Sequence, residues 1–159
     1  MTQPRKERED PVVADNRKAG FDYHFLDQFE AGLVLVGTEV KAAREGRVNL
    51  RDAFCRLEGG EAWLLNAHIG QYSHGGYASH DPTRRRKLLL NQAELNKLLG
   101  KTTERGLTIV PLRMYFNKKG RIKLAIALAK GKKQYDKRET IRRRETERET
   151  RAAVKSRRV

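Results

Sequence analysis

The chain has 159 residues, of which 35 are Lys or Arg and 20 are Asp or Glu, so its net charge is +15 with neutral histidine, and only 38% of it is hydrophobic. That apolar share supports one modest core with some chain left over. No apolar run approaches the ~20 residues of a membrane span, and MTQPRKERED lacks the apolar stretch of a signal peptide, so a cytoplasmic protein is expected.

In chain order, residues 1–15 are expected to form a flexible arm. From Phe21 the odd positions Phe21, Tyr23, Phe25, Phe29, Ala31, Leu33 and Leu35 are apolar, the period of a half-buried strand, and Asp27 within that series marks a bulge. Thr38 is placed to cap a helix over Glu39 to Glu45, which Gly46 ends. Ala53, Cys55 and Leu57 alternate up to Gly59-Gly60, and Trp63, Leu65, Ala67 and Ile69 alternate beyond it, which predicts a hairpin closed by two glycines with positive φ. Asp81-Pro82 starts a turn before the next strand. Asn91 and Glu94 have capping-box spacing for a helix ending at Gly100, with Leu95, Leu98 and Leu99 on one face as a lid. Thr108, Val110, Leu112, Met114 and Phe116 alternate into Asn117-Lys118-Lys119-Gly120, and Ile122, Leu124, Ile126 and Leu128 alternate out of it. The fold class expected is mainly β: five or six antiparallel strands forming a closed OB-like barrel over residues 16–130, because closure removes exposed sheet edges. A two-layer α+β sheet is the competing architecture.

The charge is unevenly placed. Residues 1–18, 19–130 and 131–159 carry net charges of +1, +7 and +7, so nearly half of the excess lies in a tail with few apolar residues. Such a tail cannot build a core and is expected to be disordered when free. Yet Asp136 and Glu139 suit a helix start, Lys155, Arg157 and Arg158 a helix end, and no Pro or Gly intervenes, so the tail can become helical when anions surround it, with Gly131 as hinge. A basic tail on a basic domain is the electrostatic footprint of a nucleic-acid binder, the plainer alternative being a solvated tail that aids solubility.

Residues for chemistry are not assembled by the sequence. The lone Cys55 and the scattered His24, His68, His74 and His80 form neither a disulfide framework nor a structural zinc pattern, so no metal and no cofactor are expected. Gly100-Lys101-Thr102 resembles the end of a phosphate-binding loop, but the required earlier glycine is Leu95. Ser73, His74, His80 and Asp81 are close in sequence without a nucleophile elbow, so loop structure or RNA contact is the reading there, and Tyr72 and Tyr77 either stack on bases or pack on the domain.

Asn16-Arg17-Lys18-Ala19, Glu30-Ala31-Gly32, Gly37-Thr38-Glu39-Val40-Lys41, His80-Asp81-Pro82-Thr83-Arg84, Arg86-Lys87-Leu88-Leu89-Leu90, Val110-Pro111-Leu112 and Ala129-Lys130-Gly131-Lys132-Lys133 followed by Tyr135-Asp136-Lys137-Arg138 occur in that order. Together they resemble the small protein B family, bacterial proteins that carry transfer-messenger RNA (tmRNA, SsrA RNA) to stalled ribosomes. The resemblance implies a six-stranded oligonucleotide-binding barrel without enzymatic activity. It implies binding to the tRNA-like domain of tmRNA, mimicry of an anticodon arm, and delivery of alanyl-tmRNA to an empty A site by a protein that is monomeric when free. The tmRNA contacts it implies are Glu30, Leu89, Asn91 and Lys123, flanked by Asn16, Arg17 and Lys18. For the ribosome, at the small-subunit decoding centre and mRNA channel, it implies Gly131, Lys132, Lys133, Tyr135, Asp136, Lys137, Arg138, Ile141, Arg142, Arg143 and Arg144. Asn91 equally reads as a helix cap, Leu89 as core, and Lys123 and Glu30 as solvated strand positions. The loop Gln71 to Ser79 departs from the family pattern. A generic OB-type ribosome-associated protein is the alternative.

Overall fold

The computed structural model describes residues 11–72, 80–103, 106–132 and 134–157, the last of these without the side chains of residues 134–136, 140 and 154–157. Lys133 and the divergent loop from Ser73 to Ser79, with His74 and Tyr77, therefore lie outside the described residues, as do the side chains of Tyr135 and Asp136. The fold is mainly β with flanking helices. Strand β1 (Val12–Asp15) and helix α1 (Arg17–Asp22) lead into the long strand β2 (Tyr23–Leu33), followed by α2 (Gly37–Arg44), β3 (Val48–Asn49), β4 (Phe54–Glu58), β5 (Glu61–Leu65) and β6 (His68–Ile69). Then come β7 (Arg86–Leu89), α3 (Gln92–Lys101), β8 (Leu107–Phe116), β9 (Ile122–Gly131) and α4 (Gln134–Arg157).

Antiparallel pairings order the main sheet as β1-β8-β4-β5-β7-β2-β9, and β8 also pairs with β9. The succession from β8 through β4, β5, β7, β2 and β9 therefore returns to β8. β3 and β6 form a separate two-stranded sheet. The inner core gathers Ala31, Leu64, Ile69, Met114, Leu124 and Ile126 among others. A second apolar layer lies on the outer face of β8 and β9, where Val110, Leu112, Tyr115 and Ala125 to Ala129 meet Ala19 of α1 and Tyr23.

Both expected hairpins form. Gly59 and Gly60 have φ of 58° and 75°, the two positive values that a two-residue turn requires. Asn117 closes the other by accepting at Oδ1 from the amides of Lys119 (3.0 Å) and Arg121 (2.9 Å). The expected bulge falls between Phe25 and Asp27, where β2 shifts register against β9. Asn91 caps α3, accepting from the Glu94 amide at 2.8 Å and donating to the Glu94 carboxylate at 3.0 Å, and Leu98 is fully buried beneath that helix.

Several expectations are corrected. The arm ends earlier than residue 15, because Val12, Ala14 and Asp15 pair with Tyr115, Met114 and Arg113 of β8, whose backbone groups would otherwise lack partners. Phe21 lies in the last turn of a short helix that ends at Asp22, and the strand starts at Tyr23. Trp63 and Leu65 do not continue the inward series of Cys55. The two-residue turn registers Cys55 with Leu64 and Leu57 with Ala62, so the even positions of β5 face inward until Asn66, at φ 58°, restores odd parity for Ala67 and Ile69. In β8 the expected single face splits at a bulge between Pro111 and Arg113: Val110 and Leu112 join the outer layer, while Met114 and Phe116 join the inner core. Pro111 sits there because it has no amide to give a ladder. The basic tail forms helix α4 in this structure, exposed along its middle turns and tied at its base, where Lys137 pairs with Asp22 at 3.3 Å and lies over the Phe21 ring.

Thr38 does not cap α2. Glu39 does so, accepting from the Val36 amide at 2.9 Å, while the Thr38 hydroxyl bonds His80 Nδ1 at 2.9 Å. Glu39 and Arg86 are both fully buried. Arg86 donates from Nε to Glu39 Oε2 at 2.6 Å, from Nη1 to the Ala67 carbonyl at 2.7 Å and from Nη2 to the Pro82 carbonyl at 3.0 Å, and Arg84 closes on Glu39 Oε1. His80 completes the cluster, its Nε2 on the Ile69 carbonyl at 2.9 Å. This histidine is buried with both ring nitrogens engaged within the cluster. Burial alone would raise the Glu39 carboxyl, but hydrogen bonds from Arg84, the Val36 amide and Arg86 outweigh it and hold the group below the ordinary carboxylate range.

Glu39→Gln leaves the Arg86 charge buried without its counterion and should lower unfolding free energy by roughly 3–5 kcal/mol in chemical denaturation. Because the folded-state value is depressed, the contribution of Glu39 is fully present above the unfolded carboxylate value of about 4.3 and is lost as pH falls through the folded value. The stability gap between wild type and variant should accordingly narrow in acid.

Candidate nucleic-acid interface

The period-2 pleat of β7 follows from Arg86. With Arg86 and Leu88 inward, Lys87 and Leu89 must face outward, and Leu89 is 52% exposed. The reading of Leu89 as core is thereby corrected. Leu89 is in register with Gly32 of β2, Gly32 with Lys123 of β9, and Lys123 with Tyr115 of β8. Four strands thus contribute one row of the outer face. In the adjacent row Glu30 faces Ala125, which faces Arg113. Lys123 lies between the buried Ile122 and Leu124 and takes the opposite face, as the alternation predicts.

Leu89, Gly32 and Lys123 line a groove of about 320 Å³ at the strand ends, whose further walls include Leu35 and Val40 and whose cations are Arg121 and Lys123. The hairpin tip beside it exposes Lys118 and Lys119 as well. Glu30 is exposed two residues before Gly32 on the same face of β2, and Asn91 is exposed two residues after Leu89, at the start of α3. The structure thus brings Glu30, Leu89, Asn91 and Lys123 to one end of the sheet. An apolar trough with a basic rim accommodates a nucleoside face while meeting phosphates electrostatically.

Asn16, Arg17 and Lys18 belong elsewhere. Asn16 is buried, its amide donating to the Leu112 carbonyl at 2.8 Å and its Nδ2 to the Pro111 carbonyl at 2.9 Å, so it pins the β8 bulge. Arg17 lines a second concavity of about 520 Å³ with Phe25, Gln28, Arg113 and the helix α4 residues Arg144 and Arg148. Lys18 lines a third, of about 370 Å³, with Tyr23, Arg51 and Phe54. Of the positions implied for the ribosome, Gly131 ends β9 in register with Tyr23, and Lys132 is engaged with α1, its amide on the Asp22 carbonyl at 2.8 Å and its Nζ on the Gly20 carbonyl at 3.1 Å. Arg138, Arg142, Arg143 and Arg144 are exposed on α4, and Ile141 is partly so. Sequence reasoning missed Arg113 and Arg121; Arg121 stands beside the recognised turn, whereas Arg113 was hidden by the bulge that breaks the alternation.

Among the described residues, no group of three or more His, Cys, Asp or Glu side chains is placed to hold a metal ion, and no helix is long and apolar enough to cross a membrane. Burial pushes the Cys55 thiol far above its ordinary value, which leaves it inert as a nucleophile.

The family model described as SmpB protein matches residues 13–156 of the chain. An SsrA-binding protein of Trichodesmium erythraeum is 54% identical over 145 residues, covering 91% of this chain and 92% of that protein. An SsrA-binding protein of Thermosipho africanus is 53% identical over 137 residues, covering 86% and 92%. A chain of a solved structure described as "tmRNA-SmpB: a journey to the center of the bacterial ribosome" superposes with a TM-score of 0.66 at 48% identity, covering 84% of this chain and 96% of that one.

Asn16→Ala should cost about 1–3 kcal/mol in thermal or chemical unfolding, because the buried Pro111 carbonyl loses its donor. Arg17→Ala should stay within about 0.5 kcal/mol of wild type in the same measurement.

Proposed function

The chain belongs to the SmpB family, and from that premise we propose that it binds the tRNA-like domain of tmRNA and brings alanyl-tmRNA to stalled ribosomes in the bacterial cytoplasm. It acts by binding and shape, not by catalysis. The observation that carries this reading is the row Leu89, Gly32 and Lys123, in which strands distant in sequence join to make one trough with cations at its edge. Leu89 supplies apolar surface and Lys123 meets phosphate. Glu30 accepts hydrogen bonds from a base edge or a 2′-OH, and Asn91 holds the turn that presents Leu89.

The ring of strand pairings supports reading the scaffold as a closed OB-like barrel of β8, β4, β5, β7, β2 and β9, with β1 added on its outside. Such a body is compact enough to stand in for an anticodon arm. Residues 131–159 form the second functional unit. Its exposed faces carry arginine with no apolar stripe, so beyond its anchored base little apolar burial holds it when free, and rRNA phosphates in the empty mRNA channel stabilise it as a helix. Lys132 and Lys137 anchor its base on α1, and the exposed Arg138, Arg142, Arg143 and Arg144 face the rRNA.

In a binding competition, the protein should prefer the tRNA-like domain transcript over bulk tRNA. Equal affinity for both would favour a generic ribosome-associated RNA binder. Leu89→Ala and Lys123→Ala should each weaken transcript binding by about tenfold, with the lysine variant also lowering the salt slope by about one. Truncation after Lys130 should retain transcript affinity yet abolish peptide tagging in a reconstituted translation assay.

A further inference from the structure

Gly32 is the penultimate residue of β2, paired on one side with Leu89 and on the other with Lys123, and nothing in its local conformation requires glycine. Its φ is not among the positive values, which fall at Gly46, Gly59, Gly60, Gly106 and Gly120, and the β2 register shift lies between Phe25 and Asp27. A Cβ at Gly32 would stand 3.2 Å from Leu89 Cβ, tighter than an ordinary contact and not relieved by a rotamer change, and 3.5 Å from its Cδ1, so the close approach of β2 and β7 already favours a small residue here. What the glycine provides is a strip of bare backbone in the groove, between the apolar side of Leu89 and the ammonium of Lys123.

We propose that Gly32 is the specificity-determining position of this groove: its missing side chain lets one unpaired nucleoside of the bound RNA lie directly on the β2 backbone. The nucleoside packs against Leu89, and its flanking phosphates reach Lys123 and Arg121. Glu30, exposed two residues along the same face, accepts from the 2′-OH or an amino group of the same segment. The basic rim selects a phosphate-bearing occupant over an apolar peptide. A β-carbon on Gly32 would fill the space where the sugar or base must sit. This inference deepens the function proposed above and rests on it.

The test uses the full-length protein, a transcript of the tRNA-like domain, and Gly32→Ala and Gly32→Val, with Gly37→Ala as control because a methyl there meets nothing within 4 Å. Gly32→Ala should weaken binding by at least about tenfold and Gly32→Val further, with melting temperatures within about 4 °C of wild type, while the control binds normally. A folded Gly32→Ala that binds like wild type overturns the inference and leaves the function intact. Failure of wild type to bind the transcript would instead overturn the function itself. Should the Gly32 variants melt early, the wild-type complex decides by NMR: cross-relaxation between the Gly32 Hα protons and ribose or base protons supports the inference, and its absence defeats it.

Discussion

A carboxylate and a guanidinium buried together can persist only if nearly every polar atom on both finds a partner, and Glu39 with Arg86 places that demand on much of the fold. Satisfying it draws in the start of α2 through Val36, the segment after β5 through the Ala67 carbonyl, and the turn before β7 through Pro82. His80 and Thr38 tie the same segments a second time. This is the physical content of two sequence strings far apart in the chain, Gly37 to Lys41 and His80 to Arg86, which are two halves of one cluster. The pair also sets the phase of β7: an inward Arg86 makes an outward Leu89 unavoidable, so a stability device inside the domain positions a side chain on its surface.

Bulges do comparable work on β2 and β8. Each inserts a residue that reverses which side chains face inward, and together they allow two apolar layers to share the same strands. The small residues Ala125, Ala127 and Ala129 admit α1 close against the sheet on the outside, while Leu124, Ile126 and Leu128 fill the inside. Beyond the reach of α1 the same outer face stays open at Lys123. Asn16 holds the β8 bulge in register on the covered half.

Charge is distributed in two ways. Within the domain, cations are tied locally, as in the Arg85 to Glu58 pair at 2.6 Å with Arg85 also stacked over Trp63, and the Lys97 to Asp27 pair at 2.6 Å. Exposed pairs of this kind add little stability but offset local repulsion in a chain of +15. On α4 the arginines outnumber nearby acids and face solvent, which makes that helix responsive to anions in a way that the domain is not.

Much was legible from sequence alone. Glycine pairs announced the Gly59-Gly60 hairpin, the Asn91 and Glu94 spacing announced α3, the alternation of Ile122 to Leu128 announced β9, and the ordered strings announced the family. These signals are local, because turn conformation, capping and pleat depend on residues within a few positions of one another. Tertiary structure alone decided that Leu89 is exposed, that Asn16 is buried, that Glu39 rather than Thr38 caps α2, and that Gly32 lies between Leu89 and Lys123. The Glu39 cap is a local bond to Val36, but the engagement of Thr38 by His80 and of Glu39 by Arg86, like the other features, depends on partners tens of residues away, and a one-residue bulge reverses a face without altering composition.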